Sequence, residues 1–154
     1  MLDPQKIKPH HLLDLIRDLG SGRKHTPHPY GHDVHRLAAL AFSTPDTLFR
    51  LTEEFDAICI PCNKLKDGLC TDTTDTAGFL TTKDSYNRAI DNRLYQRLGL
   101  VEGQIVSAIE FCDVVREKLG DIHSIYLEAD PEQTRTRAKN IGRGLQLMQS
   151  TADK

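Results

Sequence analysis

The chain has 154 residues, of which 38% are hydrophobic and 27% charged, so it has the size and composition of one globular domain, residues 1–154. The net charge of −2 disfavours a general nucleic-acid-binding protein, because such proteins derive their affinity from a positive surface. Because no apolar run is long enough to span a bilayer and the N-terminus lacks a signal-peptide core, we expect no membrane contact and a cytoplasmic location, where thiols stay reduced.

The first predicted element is a short helix that begins at Pro9 and ends at Gly20, because proline suits the first turn of a helix and glycine its end. Its apolar stripe consists of Leu12, Leu13, Leu15, Ile16 and Leu19. His10 and His11 lie in the first turn, where the positive end of the helix dipole favours the neutral imidazole that a metal ion requires. Each histidine is a candidate metal ligand, and the alternative is a solvated histidine pair at a helix start.

A loop rich in Gly, Pro and His follows, over residues 21–32. His25, His28 and His32, with His35 just beyond the loop, could hold a second metal ion through imidazole nitrogens. No carboxylate pattern of the H-E-x-x-H type accompanies these histidines. Its absence favours the alternative, a mobile polar loop with scattered histidines.

The next segment is expected to contain one helix and one short strand. Asp33 can cap a helix over residues 34–42, and the Ser-Thr-Pro sequence after it ends the helix. Residues 47–52 place Phe49 and Leu51 on one face, which predicts a short strand, with a helix as the alternative.

Three of the four cysteines, Cys59, Cys62 and Cys70, lie close together with the spacing C-x2-C-x7-C. A C-x2-C turn can aim two thiolates at one point, and the return of the chain past Gly68 can add a third. Such thiolates suit zinc or the iron of an iron–sulfur cluster, so we interpret the segment as a metal knuckle. A redox dithiol or buried, unreactive thiols are the alternatives. The polar loop at 71–76 lacks the pattern of a calcium site, and no ion is assigned to it.

The region after this loop contains one strongly periodic helix. It is predicted to begin at Lys83 or Asp84 and to end before Gly99. One face of the helix is formed by residues that recur every four positions, namely Tyr86, Ile90, Leu94 and Leu98. Residues 104–106 are expected to form a second short strand.

The fourth cysteine lies on a helix whose start is well marked. Ser107 and Glu110 match the capping box, which places the helix over residues 108–119. Cys112 lies on the inner face of this helix. It is either a fourth thiolate ligand or a core residue, and the frequent burial of free cysteine favours the core.

The last predicted helix begins at Pro131, with Asp130 as its cap, and runs toward Gln149. Together these elements predict a mainly α fold with about five helices and a small sheet or an irregular cysteine-rich metal knuckle. An α+β fold is the alternative.

Three segments of the chain carry a family resemblance. The Pro-His-His-Leu-Leu sequence at 9–13, the segment 56–62 with Cys70, and residues 90–103 together resemble an uncharacterised family of small bacterial and archaeal proteins. That family has an HHLL start and a CxxC…C centre, and its members are presumed to bind an iron–sulfur cluster. The resemblance implies metal or cluster binding, and it implies no known reaction.

The chain departs from the family pattern in two places. Asp14 stands where members often carry a cysteine, and no further cysteine pair follows Cys112. These departures favour a three-cysteine site that is completed by a histidine, by Cys112 or by an outside ligand.

We therefore expect a metal-binding protein in which Cys59, Cys62 and Cys70 hold an iron–sulfur cluster or a zinc ion. A closed shell needs one more donor. For zinc we prefer a histidine, giving a Cys3His shell, and for a cluster we prefer a fourth thiolate. The candidates for this fourth position are His10, His11 and Cys112.

Two other functions remain open from the sequence. The first is a metal- or thiol-dependent enzyme that acts on a small molecule, with the His25–His35 loop at its site. No nucleophile–base motif, phosphate loop or dinucleotide fingerprint supports this alternative. The second is an adaptor with a structural metal, whose basic C-terminal helix docks a protein partner. A protein partner or a homo-oligomer is compatible with all three functions.

Overall fold

The computed structural model describes residues 3–76 and 79–152. Within them the chain forms five α helices: α1 (Pro9–Ser21), α2 (Val34–Ser43), α3 (Lys83–Leu98), α4 (Ala108–Lys118) and α5 (Pro131–Ala152). Seven short strands are β1 (Gln5–Ile7), β2 (Leu48–Leu51), β3 (Leu65–Lys66), β4 (Leu69–Cys70), β5 (Thr73–Thr76), β6 (Phe79–Thr82) and β7 (Ile105–Ser107). No helix among these residues is both long and apolar enough to cross a membrane.

The strands in this part of the chain form three small sheets. β1 pairs in parallel with β2, and β2 pairs antiparallel with β7. The other two sheets are the hairpins β3–β4 and β5–β6. The prediction of a mainly α fold is therefore wrong, and the chain has an α+β fold. Strands of two to four residues are too short to show a clear alternation, so the sequence pattern underestimated them.

The expected strands agree with the structure to different degrees. The strand predicted at 47–52 is confirmed as β2, and the strand predicted at 104–106 is displaced by one residue, as β7. The segment expected to be a polar loop at 71–76 contains β5, because pairing with β6 satisfies its backbone and its threonines are β-branched. β1 was not predicted, because its pairing partner lies more than forty residues further along the chain.

The helix boundaries follow local signals, with two exceptions. α4 begins with the predicted capping box, in which Ser107 Oγ accepts from the Glu110 N–H at 3.1 Å and Glu110 Oε2 accepts from the Ser107 N–H at 2.8 Å. Asp33 precedes α2 but makes no side-chain cap bond. α1 ends at Ser21 rather than at Gly20, which is buried inside the helix, and Gly22 caps its C-terminus in the left-handed region with φ +78°.

Among the described helices, α1 and α5 pack against each other most extensively. A Cβ atom at Gly20 would overlap the carbonyl of Asn140, and a Cβ atom at Gly144 would overlap the carbonyl of Ile16. The two helix backbones therefore touch at these glycines, which leaves no space for a side chain. This packing fixes α1, whose first turn carries His10 and His11.

Candidate functional site

A cavity of about 550 Å³ lies where the first turn of α1 meets the loop after α1, the cysteine segment and the start of α3. Its wall contains three of the four cysteines and five of the histidines, which are Cys59, Cys62, Cys70, His10, His11, His25, His28 and His32. Residues that are distant in the sequence therefore meet around one space.

The segment that carries Cys59 and Cys62 is a turn organised by Asp56. The Asp56 carboxylate accepts hydrogen bonds from the backbone N–H groups of Ile58 at 3.1 Å and Cys59 at 3.2 Å. The N–H of Cys62 donates to the carbonyl of Cys59 at 2.9 Å and continues the turn. These bonds satisfy the N–H groups of Ile58, Cys59 and Cys62 within the turn, and both cysteines are held in the cavity wall.

The β3–β4 hairpin returns the chain to the same wall. Its turn contains Asp67 and Gly68 in the left-handed region, with φ of +51° and +77°. Glycine adopts this conformation readily, and aspartate tolerates it better than most other residues. The hairpin pairs Leu65 with Cys70, and this pairing positions Cys70 beside the cavity.

His11 is held by a fully buried carboxylate. Its Nδ1 lies 2.7 Å from Oδ2 of Asp56, which also accepts a hydrogen bond from the Lys8 N–H at 2.8 Å. Burial alone would raise the pKa of Asp56, but the charge and hydrogen bond of His11 hold it well below its usual range. Burial opposes protonation of His11, yet Asp56 outweighs it and raises the pKa of the imidazole. The expectation of a neutral imidazole is therefore wrong for His11, because the Asp56 carboxylate favours the protonated ring. A metal ion that binds His11 must displace that proton.

His10 makes an equivalent pair with Asp91 of α3. The Asp91 carboxylate accepts from the His10 backbone N–H at 2.7 Å and lies 2.9 Å from its Nδ1. A neutral histidine that donates through Nδ1 leaves the lone pair of Nε2 free. Both histidines thus have the arrangement found in metal sites, where a carboxylate fixes the ring and its tautomer.

The donor atoms of His11, Asp56 and Cys59 all lie within 4.8 Å of one another. Among the described His, Cys, Asp and Glu residues, no other set of three meets this criterion. Both oxygens of Asp56 already accept hydrogen bonds, so Asp56 orients the site rather than binding an ion directly. His11 and Cys59 therefore lie together beside Asp56, and among the described residues the three cysteine sulfurs by themselves do not form such a group.

The Cys59 thiol is half-buried. Burial and the nearby Asp56 carboxylate raise the pKa of Cys59 to about 12. The thiol therefore keeps its proton at neutral pH, and a metal ion that binds this sulfur must displace the proton.

Cys112 lies away from the cavity. Its side chain is 1% exposed within the hydrophobic core, and it is absent from the cavity wall. Burial raises the pKa of its thiol to about 12. The structure thus places Cys112 on the inner face of α4 and does not bring it to the other three cysteines.

The histidines of the loop differ chemically from His10 and His11. The Nδ1 atoms of His28 and His32 accept hydrogen bonds from the backbone N–H groups of Tyr30, at 3.0 Å, and Val34, at 3.5 Å. A neutral ring that accepts through Nδ1 carries its proton on Nε2, which leaves no free lone pair for a metal ion. The two rings stack on each other with centroids 4.3 Å apart and form a wall of the cavity.

The other two histidines considered from the sequence occupy different positions. His25 Nε2 lies 3.4 Å from Oδ2 of Asp18, and burial lowers the pKa of His25. His35 is not part of the cavity wall, and its buried Nδ1 has no hydrogen-bond partner among the described residues. Within those residues, the four histidines of this region do not form a group suited to a second metal ion.

Three residues of the site had no role in the sequence analysis, namely Lys8, Asp56 and Asp91. Both aspartates lie in the segments that carry the family resemblance, and an acid shortly before a C-x2-C turn is a signal that could have identified Asp56. Lys8 has no such signal, because its burial beside the cavity depends on tertiary packing.

No protein-family model, curated protein or solved structure matches the chain. The resemblance to the family with the HHLL start therefore remains an expectation.

Proposed function

We propose that this chain is a metal-binding protein in which Cys59, Cys62, Cys70 and His11 hold zinc or an iron–sulfur cluster. One observation carries the proposal: three cysteines and a carboxylate-oriented histidine face the same cavity. Three sulfurs and one imidazole nitrogen suit these metals, whereas magnesium and calcium prefer oxygen donors.

His11 is the preferred fourth ligand for two reasons. One ring nitrogen of His11, the sulfur of Cys59 and one oxygen of Asp56 all lie within 4.8 Å of one another. Cys112 is excluded from the shell because it lies in the core and lines no part of the cavity. His10 also faces the cavity, but it takes part in no comparable group among the described residues.

The chain's own residues have separate parts in the proposed site. Asp56 fixes the ring of His11 and the backbone of the cysteine turn, so it couples the two segments that supply ligands. The β3–β4 hairpin carries Cys70 toward them. When bound, zinc would close the cysteine loop as a structural ion, whereas a cluster would supply electron transfer or redox sensing.

Purification without oxygen, followed by metal and acid-labile sulfide analysis, tests the proposal. We expect about one metal ion or one cluster per chain. Visible absorption separates the two, because iron–sulfur clusters are coloured and zinc is not. The Cys59→Ala and His11→Ala variants should lose most of the metal, and the matched Cys112→Ala variant should keep it.

Two results would overturn the proposal. The first is wild-type protein that contains no metal and binds neither zinc nor reconstituted iron and sulfide. The second is full metal content in both Cys59→Ala and His11→Ala. Circular dichroism of each variant shows whether a loss of metal merely reflects a loss of folding.

A further inference from the structure

We propose that the cavity binds a small oxyanion, the carboxylate or phosphate group of a small molecule, with Lys8 as its buried charge partner. This inference rests on the proposed function in one respect, since the metal site forms one wall of the same cavity. The inference adds to the proposed function the chemical class of a small ligand that binds in the part of the cavity not filled by the metal.

Lys8 is the observation that points to an anion. Lys8 is 5% exposed and lines the cavity. Within the described ranges it makes no ion pair with any carboxylate. Lysine is rarely buried without a partner, because removing the ammonium group from water costs free energy that a nearby negative charge must offset.

The charges around the cavity are strongly unequal. Seven lysines and arginines line it, against three aspartates, although the whole chain has a net charge of −2. Each of the three aspartates already has a cationic partner: Asp14 with Arg17 and Arg137, Asp18 with Arg17, and Asp72 with Lys83. The cavity is therefore a basic site on a slightly acidic protein.

A second lysine of the wall also lacks an acidic partner. Lys64 is half-buried and lies over the ring of Tyr30, 4.8 Å from its centroid. Neither it nor Lys8 pairs with a carboxylate in the described part of the chain, so both remain available to an anion. Asn87 and Thr26 add neutral hydrogen-bonding groups to the wall.

The metal site alone does not account for this charge. A zinc ion with three thiolates and a neutral histidine carries one net negative charge, and the Asp56 carboxylate beside that histidine adds a second. Three cations of the cavity wall, Lys8, Lys24 and Lys64, form no ion pair among the described residues, so they exceed that need by one charge. The volume of about 550 Å³ lies in the range of small-molecule sites, so the space beside the metal can hold a ligand with a carboxylate or phosphate group.

Isothermal titration calorimetry on metal-loaded protein tests the inference, with inorganic phosphate and succinate as anions and glycerol as the neutral control. We expect at least one of the anions to bind, more weakly at higher salt, while glycerol does not. Lys8→Met should weaken this binding about tenfold or more, and Lys64→Met about threefold. Lys66→Met, at an exposed position outside the cavity wall, is the matched control and should bind like the wild type.

The outcomes separate this inference from the proposed function, because metal content is measured in every sample. Wild-type protein that holds its metal but binds neither anion overturns the inference alone. So does anion binding that survives in both Lys8→Met and Lys64→Met. If Lys8→Met loses metal and the wild type binds no anion, Lys8 serves only the thiolates and the inference is wrong. Lys8-dependent anion binding in a protein without metal would support the inference and overturn the proposed function.

Discussion

The Nδ1 atom of His11 lies 2.7 Å from Oδ2 of Asp56, whose side chain is fully buried. The same carboxylate binds the backbone N–H groups of Lys8 and Cys59, so one side chain joins the start of α1 to the cysteine turn. A change at Asp56 should therefore alter both the stability of the fold and the geometry of the proposed metal site.

Replacing Asp56 with Asn tests this coupling. The amide retains the shape of the side chain but loses its charge and one acceptor, so His11 is no longer fixed in one orientation. We expect the affinity for zinc to fall about 10- to 100-fold. We also expect the free energy of unfolding of the metal-free protein to fall by about 1.5–3 kcal/mol. Competition with a chelator measures the affinity, and urea unfolding measures the stability.

The Asp91→Asn variant is the matched control for this experiment. Asp91 is a buried aspartate that holds His10 in the same way, so its loss should cost similar stability. Metal affinity should change little, because His10 is not the assigned ligand. A greater loss of affinity in Asp91→Asn than in Asp56→Asn would transfer the ligand role to His10.

Cys112→Ala should separate the core cysteine from the three cysteines of the cavity. The substitution removes a buried sulfur atom from the core, and we expect a loss of about 1 kcal/mol in the free energy of unfolding. Metal content and the visible spectrum should match those of the wild type. A protein that loses its metal on this substitution while remaining folded would show that Cys112 is a ligand.

The contact between α1 and α5 predicts opposite effects for two glycines of the same helix. Gly144→Ala places a methyl group against the carbonyl of Ile16, and separating the helices should cost about 1–3 kcal/mol of stability. Gly142→Ala meets no atom within 4 Å and should stabilise the protein by about 0.5–1 kcal/mol, because alanine favours a helix. Thermal unfolding of both variants measures the difference, and equal effects would contradict the close packing.

Metal affinity should rise with pH. Burial raises the pKa of Cys59 to about 12, so the thiol is protonated in the metal-free protein and deprotonated when it binds a metal ion. The bound state holds fewer protons, and each proton released at this site increases affinity about tenfold per pH unit. Zinc addition in weakly buffered solution at pH 7 should release at least one proton. Cys112→Ala is the control and should release the same number, whereas the absence of proton release would contradict the role of Cys59.

The sequence alone indicated the features that depend on neighbouring residues. The helix that starts at Pro9, the capping box of Ser107 and Glu110, and β2 were located from local patterns. The spacing of the cysteines likewise marked the segment that lines the cavity. These predictions succeed because helix periodicity, caps and turns involve residues a few positions apart, so the information lies within a short stretch of sequence.

The tertiary structure decided which of these residues act together. Asp56 and Asp91 hold histidines that lie 45 and 81 positions away in the sequence. The parallel pairing of β1 with β2 created a sheet that the sequence pattern did not show. Cys112 was separated from the three cysteines of the cavity wall. The burial of Lys8 also arose only when α1 was fixed beside the cysteine turn. Such contacts depend on how distant segments pack, and the local pattern of apolar and polar residues does not contain that information.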